Sequence, residues 1–221
     1  MEAVIKIGGS LANQPDSLKR LCRRLVALAE KRKLLVVPGG GSFADLVREF
    51  DRIQQLSPTA AHLMALLGMD QYGILLSSLV PDARTVKNLK SARTLQTKGL
   101  LPILLPSEMI SKDTYLERSW NVTSDSIAAR VAGLSNTRIL ILVKKVDGVF
   151  DANPEEKGEA KIIRELRAAE LRSCGQTCVD SFLWRVLKKH RLECYIVNGR
   201  YPRRIKAILD GAPSTYTRIR P

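Results

Sequence analysis

The chain has 221 residues and a formal net charge of +14 at pH 7, with 45% hydrophobic and 26% charged residues. A chain of this length can bury a sizeable core, which favours one α/β domain of two lobes over two independent domains. Its basic residues are spread along the chain without an aromatic-interleaved stripe, which argues against a nucleic-acid partner. No apolar run reaches membrane-spanning length and no signal-peptide pattern opens the chain, so we expect a cytoplasmic protein with no membrane partner.

The cysteines and histidines show no spacing typical of a zinc site. There are four cysteines without a Cys-x-x-Cys pair, and two histidines: Cys22, Cys174, Cys178, Cys194, His62 and His190. We therefore expect reduced, mostly buried thiols and no metal bound by the protein itself.

The first strand-like segment is Ala3-Val4-Ile5-Lys6-Ile7, a short apolar run typical of a strand buried on both faces of a parallel sheet. A lysine in such a strand must find an anion or lose its proton. Gly8, Gly9 and Ser10 follow, and their amides beside a helix start suit an anion, most simply a phosphate. The alternative is a β-turn with a lysine that reaches solvent.

A second apolar run, Leu34-Leu35-Val36-Val37, ends in the glycine-rich sequence Pro38-Gly39-Gly40-Gly41-Ser42. Between the two runs, leucines at helical spacing from Leu18 to Leu28 predict a crossover helix that starts near Asp16. Another helix follows the second glycine loop, and this βαβα order is typical of a mostly parallel sheet. We expect both loops at one edge of the sheet, where open α/β folds bind ligands.

Pro58 opens a predicted long helix that runs to Pro81 and contains His62 and Asp70. His62 is more often a satisfied core or surface histidine than a functional group. Asp70 is harder to dismiss, because an acid within an apolar helix needs a partner. Residues 99–106 predict a strand between turns, whereas residues 82–98 give little pattern.

Polar residues precede the next predicted helix, which begins after Trp120-Asn121-Val122-Thr123. Thr123 or Ser124 could cap that helix. Capping does not explain Asn121 and Asp125 together, and a carboxylate at a helix start is well placed to order lysines or a magnesium-bound phosphate.

The clearest strand runs from Arg138 to Val143 and is followed by a turn-rich loop from Lys144 to Pro154. Three further elements complete the predicted order: a helix from about Asp180 to Lys189, a strand from Cys194 to Val197 and a helix from Pro202 to Leu209.

Taken in order, these segments resemble the amino acid kinase family over essentially the whole chain. Five motifs carry the resemblance: Lys6-Ile7-Gly8-Gly9-Ser10, Gly39-Gly40-Gly41-Ser42, Asn121 to Asp125, Val146-Asp147-Gly148-Val149-Phe150 and Val197-Asn198-Gly199. The resemblance implies a three-layer αβα sandwich with a mainly parallel open sheet. Within that single domain, residues 1–118 would form the acceptor-binding lobe and residues 119–221 the nucleotide-binding lobe.

The resemblance also implies an ATP-dependent kinase, with Mg²⁺ arriving on ATP. Lys6 would stabilise charge on the transferred phosphoryl group, and Asp125 would orient the catalytic lysines. The implied ATP-binding residues lie in the first glycine turn and in the loop that follows residue 143: Gly8, Gly9, Ser10, Lys144, Lys145, Asp147, Gly148, Val149 and Phe150. Phosphoryl transfer needs mainly positioning and cations, which agrees with these residue types.

Many family members carry a second catalytic lysine in a Gly-Met-x-x-Lys pattern. The nearest segment here runs from Asp180 to Arg185, so we expect Arg185 to substitute for that lysine. Arginine still supplies a positive charge, but as a planar fork.

On the acceptor side, the resemblance assigns Gly39, Gly40, Gly41 and Asn121. Pro38 to Asp45, His62 to Gly73 and Trp120-Asn121 are most similar to family members that phosphorylate a small furan bearing an aminomethyl group and a phosphate. Such an acceptor needs a carboxylate for its ammonium group and basic groups with amides for its phosphate.

We hypothesise that Asp45 or Asp70 binds the ammonium group, that the glycine loop and Arg48 bind the phosphate, and that His62 also contacts substrate. The alternative makes Asp45 an early-turn helix charge and Arg48 part of a solvated face.

Two other functions stay open. One is a uridylate kinase, or another monophosphate or carboxylate kinase of the same family. The other is a non-catalytic nucleotide or anion sensor, since a protein can keep the fold of an enzyme family without its catalytic activity. Because family members usually self-associate, we also expect a homo-oligomer.

Overall fold

The structure is a computed structural model that describes residues 1–152, 160–172 and 178–221. The first half contains these elements in chain order: β1 (Ala3–Ile7), a 3-10 turn (Gly9–Asn13), α1 (Pro15–Ala29), β2 (Leu34–Pro38), α2 (Gly41–Gln54), α3 (Pro58–Ser78), β3 (Ala83–Val86), α4 (Leu89–Thr97), β4 (Leu101–Leu104) and α5 (Ser107–Ile110). The second half contains α6 (Ser124–Leu134), β5 (Ile139–Lys144), β6 (Val149–Phe150), β7 (Ile162–Ile163), β8 (Glu165–Arg167), a 3-10 turn (Ala168–Arg172), α7 (Leu183–His190), β9 (Glu193–Asn198), α8 (Arg203–Leu209) and β10 (Thr217–Arg220).

Eight of the described strands form one twisted sheet in the order β3-β4-β2-β1-β5-β9-β10-β8. Its pairings are parallel except for β9 with β10. β6 and β7 form a separate antiparallel ribbon. The mainly parallel open sheet predicted from the βαβα order is confirmed.

β1 lies at the centre of the sheet, between β2 and β5. Successive side chains of a strand point to opposite faces, so Val4 and Lys6 share one face while Ile5 and Ile7 share the other. Val4 belongs to the core beneath α6 and α7, whereas Ile5 and Ile7 belong to the core beneath α1 and α8. The sheet is therefore the middle layer of three, as the fold class predicts.

Residues 82–98, which showed little pattern, form β3 and α4. β3 is an edge strand whose central Arg84 and Thr85 are exposed, so it lacks the apolar run of a buried strand. Asn88 caps α4 by accepting a hydrogen bond from the Ser91 amide at 2.8 Å.

The remaining predictions agree with the structure within a few residues. The helix expected from Asp180 begins at Leu183, and the helix expected from Pro202 begins at Arg203. Cys22 and Cys194 are buried free thiols and Cys178 is a partly buried one. Cys174, and Asn153-Pro154 of the predicted loop, lie outside the described residues. Within those residues, no helix combines the length and apolarity needed to cross a membrane.

Candidate active site

The two glycine loops lie at the same edge of the sheet and touch each other through their backbones. Ile7 at the end of β1 is paired with Pro38 at the end of β2, which brings the following residues together. A Cβ atom on Gly9 would lie 2.1 Å from the Gly41 nitrogen, and one on Gly39 would lie 2.6 Å from the Gly9 nitrogen. Gly41 also has a φ of +55°, a conformation that glycine adopts without strain. Gly9, Gly39 and Gly41 are thus required by the packing of one loop against the other.

The ammonium group of Lys6 is buried beside these loops. Its nitrogen lies 3.0 Å from Asp125 Oδ1, and the side chains are 6% and 4% exposed. Lys144 at the end of β5 donates to Asp125 Oδ2 at 2.7 Å and also to the Cys178 carbonyl oxygen. One carboxylate therefore holds two cations, and we call these three residues, Lys6, Asp125 and Lys144, the charged cluster.

The protonation of the cluster follows from burial and mutual charge. Burial alone would raise the pKa of Asp125, but the ammonium groups of Lys144 and Lys6 lower that pKa to about 2. Burial lowers the pKa of Lys6, although Asp125 opposes this effect, and the neighbouring Lys144 lowers it further. Burial opposes the charge of Lys144 as well, yet Asp125 raises the pKa of Lys144. Asp125 is thus the charge that stabilises two buried cations.

Lys6 retains hydrogen-bonding capacity. A lysine ammonium has three donors, whereas Asp125 Oδ1, at 3.0 Å, is the one ion-pair partner of Lys6 in the part of the chain that the structure describes. Unused donors on a buried cation are costly unless an anion receives them. The site therefore favours an additional anion next to Lys6.

Asp180 binds the start of α6, including Ser126, the residue that follows Asp125. Its carboxylate accepts hydrogen bonds from the Thr123 and Ser126 backbone amides, each at 2.9 Å, and from both of their hydroxyl groups. It also accepts a hydrogen bond from the Leu183 amide at 3.0 Å, at the start of α7. The expected cap from Thr123 or Ser124 is therefore wrong, because Thr123 forms no side-chain cap and Asp180 receives these amides instead.

Arg185 lies away from the charged cluster. Its guanidinium pairs with Glu117 at 3.2 Å, its side chain is 53% exposed, and it packs over Phe182. The expectation that Arg185 supplies the second cation is corrected here, since Lys144 occupies that position on Asp125. Lys144 is the first residue of the loop that the family resemblance assigned to ATP binding.

The loop after β5 has three distinct parts. Lys145 is exposed, and Asp147 forms an ion pair with Arg204 of α8. Gly148 packs against Thr217, because a Cβ atom there would lie 2.3 Å from the threonine hydroxyl oxygen. The same hydroxyl oxygen accepts a hydrogen bond from the Val149 amide at 2.8 Å, which anchors β6 and its residue Phe150. In the first glycine turn, Gly8 is buried and Ser10 is exposed.

A cavity of about 130 Å³ opens from the glycine loops toward α3, and we call it the inner cavity. It is lined by three glycines of the two loops, Gly9, Gly40 and Gly41, and by the polar side chains of Arg48, His62 and Thr123. Burial and the charge of Arg118 lower the pKa of His62, so the imidazole is neutral near pH 7. Arg48 and His62, both predicted from the sequence, thus share one cavity with the glycine loops.

Asp45, Asp70 and Asn121 do not line this cavity. Asp45 forms an exposed ion pair with Arg48 at 2.6 Å, one helical turn away. Asp70 accepts hydrogen bonds from the Ser107 amide at 3.2 Å and from the Ser107 hydroxyl, so it caps α5. Asn121 is exposed and accepts a weak hydrogen bond from the Ser181 hydroxyl at 3.4 Å. Neither Asp45 nor Asp70 therefore faces the inner cavity, and each carboxylate has a partner within the protein, which does not support the expected contact with an ammonium group.

A second cavity of about 240 Å³ adjoins the first, and we call it the outer cavity. Asp51, Arg118 and Trp120 line it, and His62 lines both cavities. Asp51, which lines the outer cavity, was not among the residues singled out from the sequence. A signal existed, since Gly41, Ala44, Arg48 and Asp51 recur along one face of α2, whereas Asp45 is one position off that face.

The site combines glycine loops, two buried cations and the carboxylate that holds them, all at the edge of a parallel αβα sheet. This combination is typical of a phosphotransferase. A nucleophilic side chain is not needed for that chemistry. The model of the amino acid kinase family matches residues 1–198, and the chain belongs to that family.

Known proteins are similar over nearly the whole chain. The [5-(aminomethyl)furan-3-yl]methyl phosphate kinase of Methanocaldococcus jannaschii is 32% identical, with 98% of this chain and 96% of that protein aligned. A uridylate kinase of Ignicoccus hospitalis is 25% identical over 94% of each chain. The crystal structure of a uridylate kinase from Archaeoglobus fulgidus superposes with a TM-score of 0.77 at 21% identity, covering 99% of this chain and 100% of that one. The last comparison confirms the fold class.

Proposed function

We propose that the chain is an ATP-dependent kinase whose acceptor is a small phosphate monoester, with [5-(aminomethyl)furan-3-yl]methyl phosphate as the leading substrate and its diphosphate as product. The observation that carries the proposal is the buried Lys6 ammonium, which has unused donors and lies where two glycine loops meet. The relative of 32% identity supports this choice of acceptor. The pathway implied for such a product is methanofuran biosynthesis.

The reaction requires positioning and charge stabilisation. An oxygen of the acceptor phosphate forms a bond to the γ-phosphorus of ATP while the bond from that phosphorus to the β–γ bridging oxygen breaks, and ADP leaves with the electron pair. Lys6 and Lys144 stabilise the negative charge on the transferred group, and Asp125 holds both cations in place. In this scheme Lys144 takes the role that the sequence assigned to Arg185.

Magnesium would be bound mainly by ATP. Within residues 1–152, 160–172 and 178–221, no group of three or more His, Cys, Asp or Glu side chains is arranged to hold a metal ion. Mg²⁺ prefers few protein carboxylates together with substrate phosphates and water. Bound with ATP, the ion would supply positive charge to the phosphates, in addition to the charges of Lys6 and Lys144.

Nucleotide and acceptor lie on opposite sides of the charged cluster in this proposal. The loop from Lys144 to Phe150 with Gly8, Gly9 and Ser10 holds ATP, and the inner cavity holds the acceptor phosphate through the Gly39 to Gly41 loop and Arg48. The proposed lobe boundary at residues 118 and 119 crosses the acceptor side, because Trp120 and Thr123 also line the inner cavity. A cytoplasmic location stays a prediction.

An ADP-release assay tests the proposal. Purified chain is given ATP and magnesium with aminomethylfuran phosphate, UMP, isopentenyl phosphate or acetylglutamate in separate reactions. We expect the furan to give the highest kcat/KM, and diphosphate formation to be visible by ³¹P NMR. A preference for UMP would instead assign the uridylate kinase function, and no turnover with binding of ATP would assign a sensor.

Self-association is proposed through α2 and α3. Apolar side chains lie exposed on both helices, in stripes at helical spacing: Leu46, Phe50 and Ile53 on α2, and Leu63, Leu67 and Ile74 on α3. An apolar stripe on one copy can pack against the same stripe on a second copy, because neither stripe needs an opposite charge on its partner. Light scattering should show that Ile74→Asp dissociates the assembly, while Leu134→Asp on α6 leaves the assembly unchanged.

A further inference from the structure

The two cavities on the acceptor side are continuous in their walls. His62, Ala65, Trp120 and Val122 line both the inner and the outer cavity. The inner cavity begins at the glycine loops, and the outer cavity ends at Asp51 and Arg118. A molecule that occupied both cavities would therefore reach from the glycine loops to Asp51.

The Trp120 indole connects charges of opposite sign. The Arg48 guanidinium lies 4.7 Å from the centre of the indole ring, in cation–π geometry. The indole nitrogen donates a hydrogen bond to Asp51 Oδ2 at 2.7 Å. Trp120 thus holds a cation over its ring face, beside the inner cavity, and a carboxylate at its ring edge, beside the outer cavity.

Asp51 carries a charge that has no cationic partner in the described part of the chain. Its carboxylate accepts the hydrogen bond from Trp120, whereas Asp45 is paired with Arg48 and Asp70 caps α5. Arg118 lines the same cavity and donates a hydrogen bond to the Thr59 hydroxyl at 3.0 Å, and no ion pair joins it to Asp51 among the described residues. Of the three acids considered, Asp51 is therefore the one available to a ligand in the cavities.

We propose that Asp51 binds an ammonium group of the acceptor, so that the enzyme selects phosphate monoesters with a flat apolar body and a cationic amine at the far end. This inference rests on the proposed kinase function and deepens it. The rest of the outer cavity suits the flat body, since Leu56, Pro58, Ala61 and Trp120 line it. A carboxylate-ammonium contact in a partly enclosed site discriminates strongly against acceptors without the amine.

The test compares two variants and two acceptors. Asp51→Asn removes the charge but keeps a carbonyl oxygen for the indole N–H, and Glu49→Gln makes the same change on an exposed part of α2 outside both cavities. The acceptors are aminomethylfuran phosphate and the analogue in which a methyl group replaces the aminomethyl group. The readouts are kcat and KM from ADP release.

We expect the wild-type chain to prefer the amine by roughly 100-fold in kcat/KM, because hydrogen bonds to charged groups contribute on the order of 2–3 kcal/mol. Asp51→Asn should raise KM for the amine, leave kcat/KM for the methyl analogue within about twofold, and so abolish the preference. Glu49→Gln should change neither value.

Equal losses for both acceptors in Asp51→Asn would overturn the inference, since they would mark Asp51 as a support for Trp120 alone. An amine preference that survives in Asp51→Asn would overturn it as well, while leaving the kinase function intact. Wild-type activity on UMP with none on either furan would refute the proposed acceptor and the role of Asp51 together.

Discussion

Asp180 accepts hydrogen bonds from both the amide and the hydroxyl group of Ser126, which lies 54 residues earlier in the chain. Ser126 directly follows Asp125, so this contact fixes the first turn of α6 and with it the carboxylate that holds Lys6 and Lys144. Burial and the charge of Asp125 raise the pKa of Asp180, whereas its hydrogen bonds to Ser126 and Thr123 oppose that shift. The active-site geometry thus depends on a residue outside the motifs.

We predict that Asp180→Ala lowers the free energy of unfolding by about 1–3 kcal/mol, because several donors at the start of α6 lose their acceptor. Chemical denaturation measures this change. We also expect kcat to fall more than KM rises, since a shifted Asp125 misplaces the lysines. Asp16→Ala, at the exposed start of α1, serves as the control. Full stability in Asp180→Ala would contradict the role of this acceptor.

The charged cluster should make stability depend on acid pH. The folded-state pKa of Asp125 is about 2, below its ordinary value of 3.8. A carboxylate with a lowered folded-state pKa stabilises the native state above its unfolded pKa, and this stabilisation is lost as the pH falls through the folded pKa. Asp125 should therefore contribute about 2 kcal/mol above pH 4 that disappears between pH 4 and pH 2.

The measurement is the free energy of unfolding of the wild type and of Asp125→Asn from pH 6 to pH 2. The difference between the two chains should shrink as the pH falls from 4 to 2, because asparagine does not titrate. A constant difference across this range would mean that Asp125 is not ionised against its lysines in the folded chain.

Much of this site is predictable because its signals are local. The short apolar segments and the crossover helix predict the parallel sheet, and Lys6 within β1 predicts a buried cation at the loop edge. Asp125 is also recognisable from the sequence, as an acidic residue in the first turn of a predicted helix. Each of these inferences uses residues that are close in sequence and lie within one predicted helix or strand.

The errors concern contacts that join distant segments. The choice between Lys144 and Arg185 depends on which side chain reaches Asp125. Which carboxylate faces the two cavities depends on the rotation of α2 and α3 about their axes. Asp180 receives the amides of α6 through a tertiary contact that no local capping pattern reveals. Edge strand β3 was missed because half of its side chains face solvent.

Lys6 should matter for turnover far more than for folding. We predict that Lys6→Met lowers kcat by about 10²–10³-fold, the usual cost of removing one donor to a developing charge. Thermal denaturation should show little loss of stability, because burial lowers the pKa of Lys6 and its charged form is costly to bury. Lys19→Met on the exposed face of α1 should retain full activity. Matching losses of activity and stability in Lys6→Met would instead mark Lys6 as a structural residue.

The contact between Gly9 and Gly41 yields a prediction that separates packing from ligand binding. An added Cβ atom at Gly9 would lie 2.1 Å from the Gly41 nitrogen, so Gly9→Ala must push the two loops apart. We predict a loss of about 1–3 kcal/mol in the free energy of unfolding, the usual cost of overpacking. Because the proposed function assigns one loop to ATP and the other to the acceptor, KM for both substrates should rise together. Ser10→Ala, an exposed neighbour in the same turn, should keep wild-type stability. If Gly9→Ala kept its stability and only KM for ATP rose, Gly9 would be required by the nucleotide and not by its packing on Gly41.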